Sequence, residues 1–157
     1  MNYKAKKKYG QNFLENKEIL NEIFSHVDLD SEDTVIEIGP GLGFLTETLS
    51  DNVKKVYSFE IDTDLVGILN KKFADRENLE IIHTDFMEYD LSKILNDKKN
   101  VKVVANIPYY ITSPIINKLI EFGENISEIY IMVQKEVAQR ISAVSPSKDV
   151  SILTHSV

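Results

Sequence analysis

The segment Asn106-Ile107-Pro108-Tyr109 carries the sharpest chemical signal in the chain. The amino group of adenine is a poor nucleophile, because its lone pair is delocalised into the ring. A protein can help by accepting hydrogen bonds from that group. The acceptors here would be the Asn106 side-chain oxygen and the Ile107 backbone carbonyl. Such bonds favour a more tetrahedral nitrogen as it attacks a methyl group in line, and positioning supplies much of the acceleration. Pro108 stiffens the segment, and Tyr109 offers a ring on which an extruded base can stack. No metal, nucleophilic side chain or strong base is needed if the leaving group is a sulfonium. The competing reading is a plain turn after a strand, with a core tyrosine.

Three other places carry polar or glycine-rich sequence of the same kind. Glu37-Ile38-Gly39-Pro40-Gly41-Leu42-Gly43 is a glycine loop between a strand and a helix. Its glycines allow a sharp turn and close approach of a ligand. The spacing is G-x-G-x-G, not the G-x-G-x-x-G of dinucleotide sites. Pro40 also removes a backbone donor that a pyrophosphate cradle would use. A ligand without phosphates, such as S-adenosylmethionine, needs those donors less. Glu60 lies 21 residues after Gly39 and can accept from both ribose hydroxyls of an adenosine-type ligand. Ile61 and Asp62 continue that rim. Asp85 can accept from an adenine amino group, and Phe86 can pack on the ring. Taken singly, each has a bland alternative: a tight turn, a surface acid, or an Asp that starts a turn.

The elements that must position these residues can be read from periodicity. A helix is expected near 16–27, where Ile19, Leu20, Ile23, Phe24 and Val27 recur at helical spacing. Strands are expected at Thr34–Ile38, Lys55–Ile61, Leu79–His83, Val101–Ala105 and Glu128–Val133. Helices are expected from Phe44 to Leu49, Asp64 to Phe73 and Lys135 to Ile141. Another should carry Ile115, Ile116, Leu119 and Ile120, with Pro114 in its first turn. Ser145–Asp149 reads as a loop. The mostly continuous apolar strands imply cover on both faces. The alternation implies a doubly wound, mainly parallel α/β sheet with right-handed crossovers. Ligands in such sheets sit outside the C-terminal strand ends, where all four polar places fall.

Composition sets the frame. The chain has 157 residues, 43% hydrophobic and 27% charged, which suits one globular domain. No run reaches the apolar length of a membrane span, and the basic N-terminus lacks the apolar core of a secretory signal. There are no cysteines, and the three histidines, His26, His83 and His155, have no ligand spacing. No metal is expected, and a reducing, cytoplasmic setting is. The net charge of −7 argues against a nucleic-acid partner. Yet Lys4, Lys6, Lys7 and Lys8 crowd the N-terminus, where a basic arm can touch phosphate. The plain alternative is a solvated tail.

On these motifs the chain resembles the small-subunit ribosomal RNA adenine dimethyltransferases. Gln11-Asn12-Phe13-Leu14 is similar to that family's N-terminal cofactor motif. Glu37 to Gly43, Glu60, Asp85 and Asn106–Tyr109 resemble its glycine, ribose, adenine and catalytic positions. Tyr110–Ile116 and Met132–Ala138 are also family-like. The resemblance implies a Rossmann-like fold and S-adenosyl-L-methionine as cofactor. It implies dimethylation of two adjacent adenosines in a hairpin near the 3′ end of small-subunit rRNA, within the assembling 30S particle. The cofactor contacts would be Gln11, Asn12, Leu14, Glu37, Gly39, Gly41, Glu60, Ile61, Asp85, Phe86 and Asn106. Asn106, Ile107, Pro108 and Tyr109 would be catalytic, and Lys6, Lys7 and Lys8 would meet RNA. Residues 1–157 would form one cofactor-binding catalytic domain with a basic arm at about 1–14. Val150-Ser151 replaces the family's usual Tyr-Gly. The family also continues past Val157 with further strands, a second aromatic for the base and a small helical domain. The expectation is therefore a truncated chain, an incomplete sheet and weakened activity.

Three alternatives stand beside this reading. The erythromycin-resistance methyltransferases share the cofactor motifs but modify large-subunit RNA. An NAD-dependent oxidoreductase would explain the glycines and Glu60, but not Asn106–Tyr109. A non-catalytic ribosome assembly factor would use the cofactor only structurally.

Overall fold

A computed structural model describes residues 17–133 and 151–156. Elements run α1 (Lys17–His26), β1 (Thr34–Ile38), α2 (Phe44–Asn52), β2 (Lys55–Glu60), α3 (Thr63–Lys72) and β3 (Leu79–His83). After a 3-10 turn at Phe86–Glu88 come α4 (Ser92–Leu95), β4 (Val101–Asn106), α5 (Tyr109–Ile120), β5 (Ile126–Val133) and β6 (Ser151–Ser156). All pairs in the sheet are parallel, in the order β3-β2-β1-β4-β5-β6.

The continuous apolar strands follow from this layering. Alternate residues face opposite sides of a sheet. Ile36, Ile38, Val103, Ala105, Ile129 and Ile131 face α4 and α5, meeting Leu91, Leu95, Ile115, Ile116 and Leu119. Val35, Val56, Val104, Tyr130 and Met132 face the other way, against Leu45 and Leu49 of α2 and Phe24 of α1. A strand buried on both faces has no polar side to show. Among the described residues, the buried cation of the sheet is Lys102, which is paired with Asp33 at 3.1 Å and also donates to the Asp28 carbonyl.

Two expectations need correction. The sheet does not stop at five strands: β6 pairs along β5 from Glu128↔Ser151 to Val133↔Ser156. Ser151-Ile152-Leu153-Thr154-His155-Ser156 mixes polar and apolar residues, so it lacks the apolar run that marked the other strands. Next, α5 begins at Tyr109, and Pro114 lies inside it rather than in its first turn. Pro108 is extended (φ −61°, ψ 149°) and caps the helix. Its carbonyl accepts from Ile111 N at 3.3 Å and from the Thr112 hydroxyl at 3.1 Å, which secures the turn ahead of Pro114. The short α4 and the 3-10 turn have too few residues to show a period. The helix expected at Lys135–Ile141 and the Ser145–Asp149 loop lie outside the described residues.

Candidate active site

The strand order reverses around β1, which has β2 on one side and β4 on the other. Connections leave β1 and β4 toward opposite faces there, which opens a crevice at their C-terminal ends. The register places the expected residues on one level. Ile38 pairs with Phe59 and with Ala105, so Gly39, Glu60 and Asn106 are the next residues on three adjacent strands. Glu60 in turn pairs with His83 of β3, two residues before Asp85.

Glycine is required at two points of the loop. Gly39 has φ +78°, and a Cβ there would lie 2.4 Å from the Asn106 carbonyl oxygen. The loop and the end of β4 are thus in contact only because residue 39 has no side chain. Gly43 has φ +88°, and a Cβ would meet the Phe73 and Leu69 side chains at 2.7 and 2.8 Å. The turn is closed by Gly39 N donating to Phe59 O (3.1 Å) and Gly43 N to Pro40 O (3.0 Å).

Two buried carboxylates brace this turn. Glu60 is 5% exposed. Its oxygens accept from Gly41 N at 3.3 Å and Asp62 N at 3.0 Å, so it latches the glycine loop to the end of β2. Burial pushes its pKa up, against the lowering effect of those N–H groups. Glu37 is 2% exposed. One of its oxygens accepts from Thr46 Oγ1 (2.5 Å) and Ser58 Oγ (2.7 Å), and the other has no partner. Burial raises its pKa to about 7, although the two hydroxyls pull it down. Asn106 is also buried, and its amide nitrogen has no partner. Buried polar groups are rarely left so, and both orphans lie at this end of the sheet.

The remaining expected residues divide. The exposed carboxylate of Asp85 accepts from Met87 N at 2.9 Å and caps the 3-10 turn. Ile61 stands free at the rim, 54% exposed. Phe86 does not offer a stacking face: it is buried, packed edge-on against Phe59 at 5.1 Å, with the Lys118 ammonium 5.0 Å from its ring. Ile107 is buried in the core and anchors the segment through its side chain. The backbone of Tyr109 opens α5. Lys6, Lys7, Lys8, Gln11, Asn12 and Leu14 lie outside the described residues.

Sequence reasoning missed three contributors. Thr46 and Ser58 hold Glu37, and Ser58 sits opposite it in the register. A small hydroxyl inside an otherwise apolar buried strand was the available signal for Ser58; Thr46 gave none. Lys118 of α5 donates to the Phe86 carbonyl (2.5 Å) and the Tyr89 carbonyl (2.6 Å), tying the turn after β3 to the helix after Asn106. Its spacing within α5 carries no hint of that reach.

The ribosomal RNA adenine dimethylase family model matches residues 2–156. The chain belongs to this family. Among curated relatives, the ribosomal RNA small subunit methyltransferase A of Fusobacterium nucleatum is 54% identical over all of this chain and 59% of its own length. The family chain described here therefore spans little more than half of that relative. Two solved structures are also similar. A dimethyladenosine transferase from Plasmodium falciparum is 33% identical, covering 85% of this chain and 47% of its own, with a TM-score of 0.69. The 23S rRNA methyltransferase ErmE is 29% identical, covering 79% and 48%, with a TM-score of 0.66. The Rossmann-like methyltransferase fold follows from these likenesses and from the sheet order. Among the described residues, no group of acids and histidines is placed to hold a metal ion, and no helix is long and apolar enough to cross a membrane.

Proposed function

We propose that residues 1–157 form the S-adenosylmethionine-binding catalytic domain of an enzyme that dimethylates two adjacent adenosines near the 3′ end of small-subunit rRNA. Its partner is the assembling 30S particle, and its compartment is the cytoplasm. The observation that carries this reading is the alignment of Gly39, Glu60 and Asn106 on one level at the switch point of the sheet. Family membership and the 54% identical small-subunit relative support the substrate class.

The residues present fit the cofactor. Gly39 and Gly41 leave room for close approach of a ligand. The Glu60 carboxylate has acceptor sites beyond the two occupied by Gly41 N and Asp62 N, and these suit the ribose hydroxyls. Asp85 can take the adenine amino group, with Ile61 beside it. Phe86 supports Asp85 from within the core rather than stacking on the ring. Gln11, Asn12 and Leu14 would complete the pocket from the N-terminal arm.

When bound, S-adenosylmethionine supplies a methyl group on a positively charged sulfur. The chain's task is to present the target nitrogen to it. The Asn106 oxygen and the Ile107 carbonyl accept from the adenine amino group and favour its attacking geometry. The extended Pro108 and the buried Ile107 side chain fix where those acceptors sit. Tyr109 stacks on the extruded base, and Lys6, Lys7 and Lys8 meet phosphate.

Transfer of labelled methyl groups to undermethylated small subunits tests the reading. Asn106→Ala should lower turnover roughly 100-fold or more, and Glu60→Ala should weaken cofactor binding by roughly 1.5–3 kcal/mol. Labelling of large subunits alone would favour the reading that the ErmE likeness raises. Tight cofactor binding without any transfer would leave an assembly factor. Binding of NAD in place of S-adenosylmethionine would end the proposal.

A further inference from the structure

Among the described residues, three large apolar side chains are exposed: Ile61 (54%), Met87 (41%) and Tyr110 (67%). Single exposed apolar residues are ordinary. Here, though, all three fall on one rim, just past the C-terminal ends of β2, β3 and β4. Ile61 and Met87 flank Glu60 and Asp85, on the side assigned to the cofactor. Tyr110 lies across the glycine turn, beyond Asn106, and nothing in the proposed cofactor or target site uses it.

We propose that Tyr110 is the contact for a nucleotide flanking the target adenine, with its ring stacked on that base; the proposal rests on the methyl-transfer reading above. Tyr109 is already assigned to the target base, which leaves Tyr110 for the nucleotide beside it. Three residues of chain separate Tyr110 from Asn106, a reach of at most about 14 Å from one Cα to the other. The ring is mounted on a rigid element rather than a loop. Ile115, Ile116 and Leu119 bury α5, and the Thr112 hydroxyl ties its first turn to Pro108.

A second observation falls on the same residue. Pro114, four positions on, has no N–H, so the Tyr110 carbonyl lacks its regular helical donor. An exposed ring at the rim beyond Asn106 suits a nucleotide, which brings a flat face to stack on it.

The test is a cycle between protein and RNA. An RNA hairpin with two adjacent adenines is made with its flanking base intact or with that nucleotide abasic, and affinity is measured by fluorescence anisotropy. For the wild-type protein the abasic change should cost about tenfold in affinity. Tyr110→Ala should bind the intact hairpin about tenfold more weakly and lose nothing further with the abasic one. Tyr110→Phe should behave as wild type, and S-adenosylmethionine affinity should be unchanged in both variants. Independent, additive losses would overturn the proposal, as would wild-type affinity in Tyr110→Ala. Loss of turnover on small subunits with unchanged hairpin binding would point to a protein contact and equally overturn it. A wild-type protein that transfers no methyl group removes the parent reading and this one together. Transfer by wild type and by Tyr110→Ala at equal kcat/KM, with equal hairpin binding, removes this one alone.

Discussion

Glu37 is held by two hydroxyls on one oxygen and by nothing on the other, and its pKa near 7 makes it a source of pH-dependent stability. Its ordinary value is 4.5, so the folded protein holds the proton more tightly than the unfolded chain does. The contribution is fully present below pH 4.5 and is lost as pH rises through about 7. Its full size is about 3 kcal/mol. Glu60, also raised by burial, adds in the same direction. Glu37→Gln keeps a neutral acceptor for Thr46 and Ser58 and should flatten the profile. Urea denaturation at pH 5 and pH 8 measures this: the loss of stability between them should be smaller in Glu37→Gln. An equal loss would assign the titration to another group. The sequence marked Glu37 by its place before the glycines, but the proton on it depends on burial and on Thr46 and Ser58, which only the folded register brings together.

At the scale of elements, α5 connects the two halves of the site. It starts three residues after Asn106, and its Lys118 clamps the turn that follows β3 through the Phe86 and Tyr89 carbonyls. Lys118→Met keeps the apolar stem but removes both bonds. We expect about a tenfold loss of cofactor affinity, partly restored by Lys118→Arg. Calorimetric titration with S-adenosylmethionine checks it, and unchanged affinity would leave Lys118 as a clamp with no bearing on the ligand. The alternation of strands and helices was legible because β1, β4 and β5 are runs with few polar interruptions. The start of α5 was not, because a proline most often marks a first turn, and here Thr112 and Pro108 secure that turn ahead of it. Nor was β6, whose pairing is set by the open edge of β5 rather than by its own composition.

For the whole molecule, a net charge of −7 must be reconciled with an RNA partner. The reconciliation we propose is spatial: phosphate contacts come from the arm that holds Lys4, Lys6, Lys7 and Lys8. Removing these four lysines should reduce the dependence of RNA affinity on salt, by a slope of roughly 0.7–0.9 per lost phosphate contact. Binding isotherms at several salt concentrations give that slope, and an unaltered value would return the lysines to a solvated tail. The four polar places at the strand ends were legible as a set, because strand order in a doubly wound sheet brings those ends together wherever the loops lie in sequence. The contact between Gly39 and the Asn106 carbonyl was not. That contact leaves room for only a hydrogen atom between residue 39 and the end of β4. The glycine loop and the end of β4 can only be altered together: any side chain placed at residue 39 would push on the Asn106 carbonyl and displace the end of that strand.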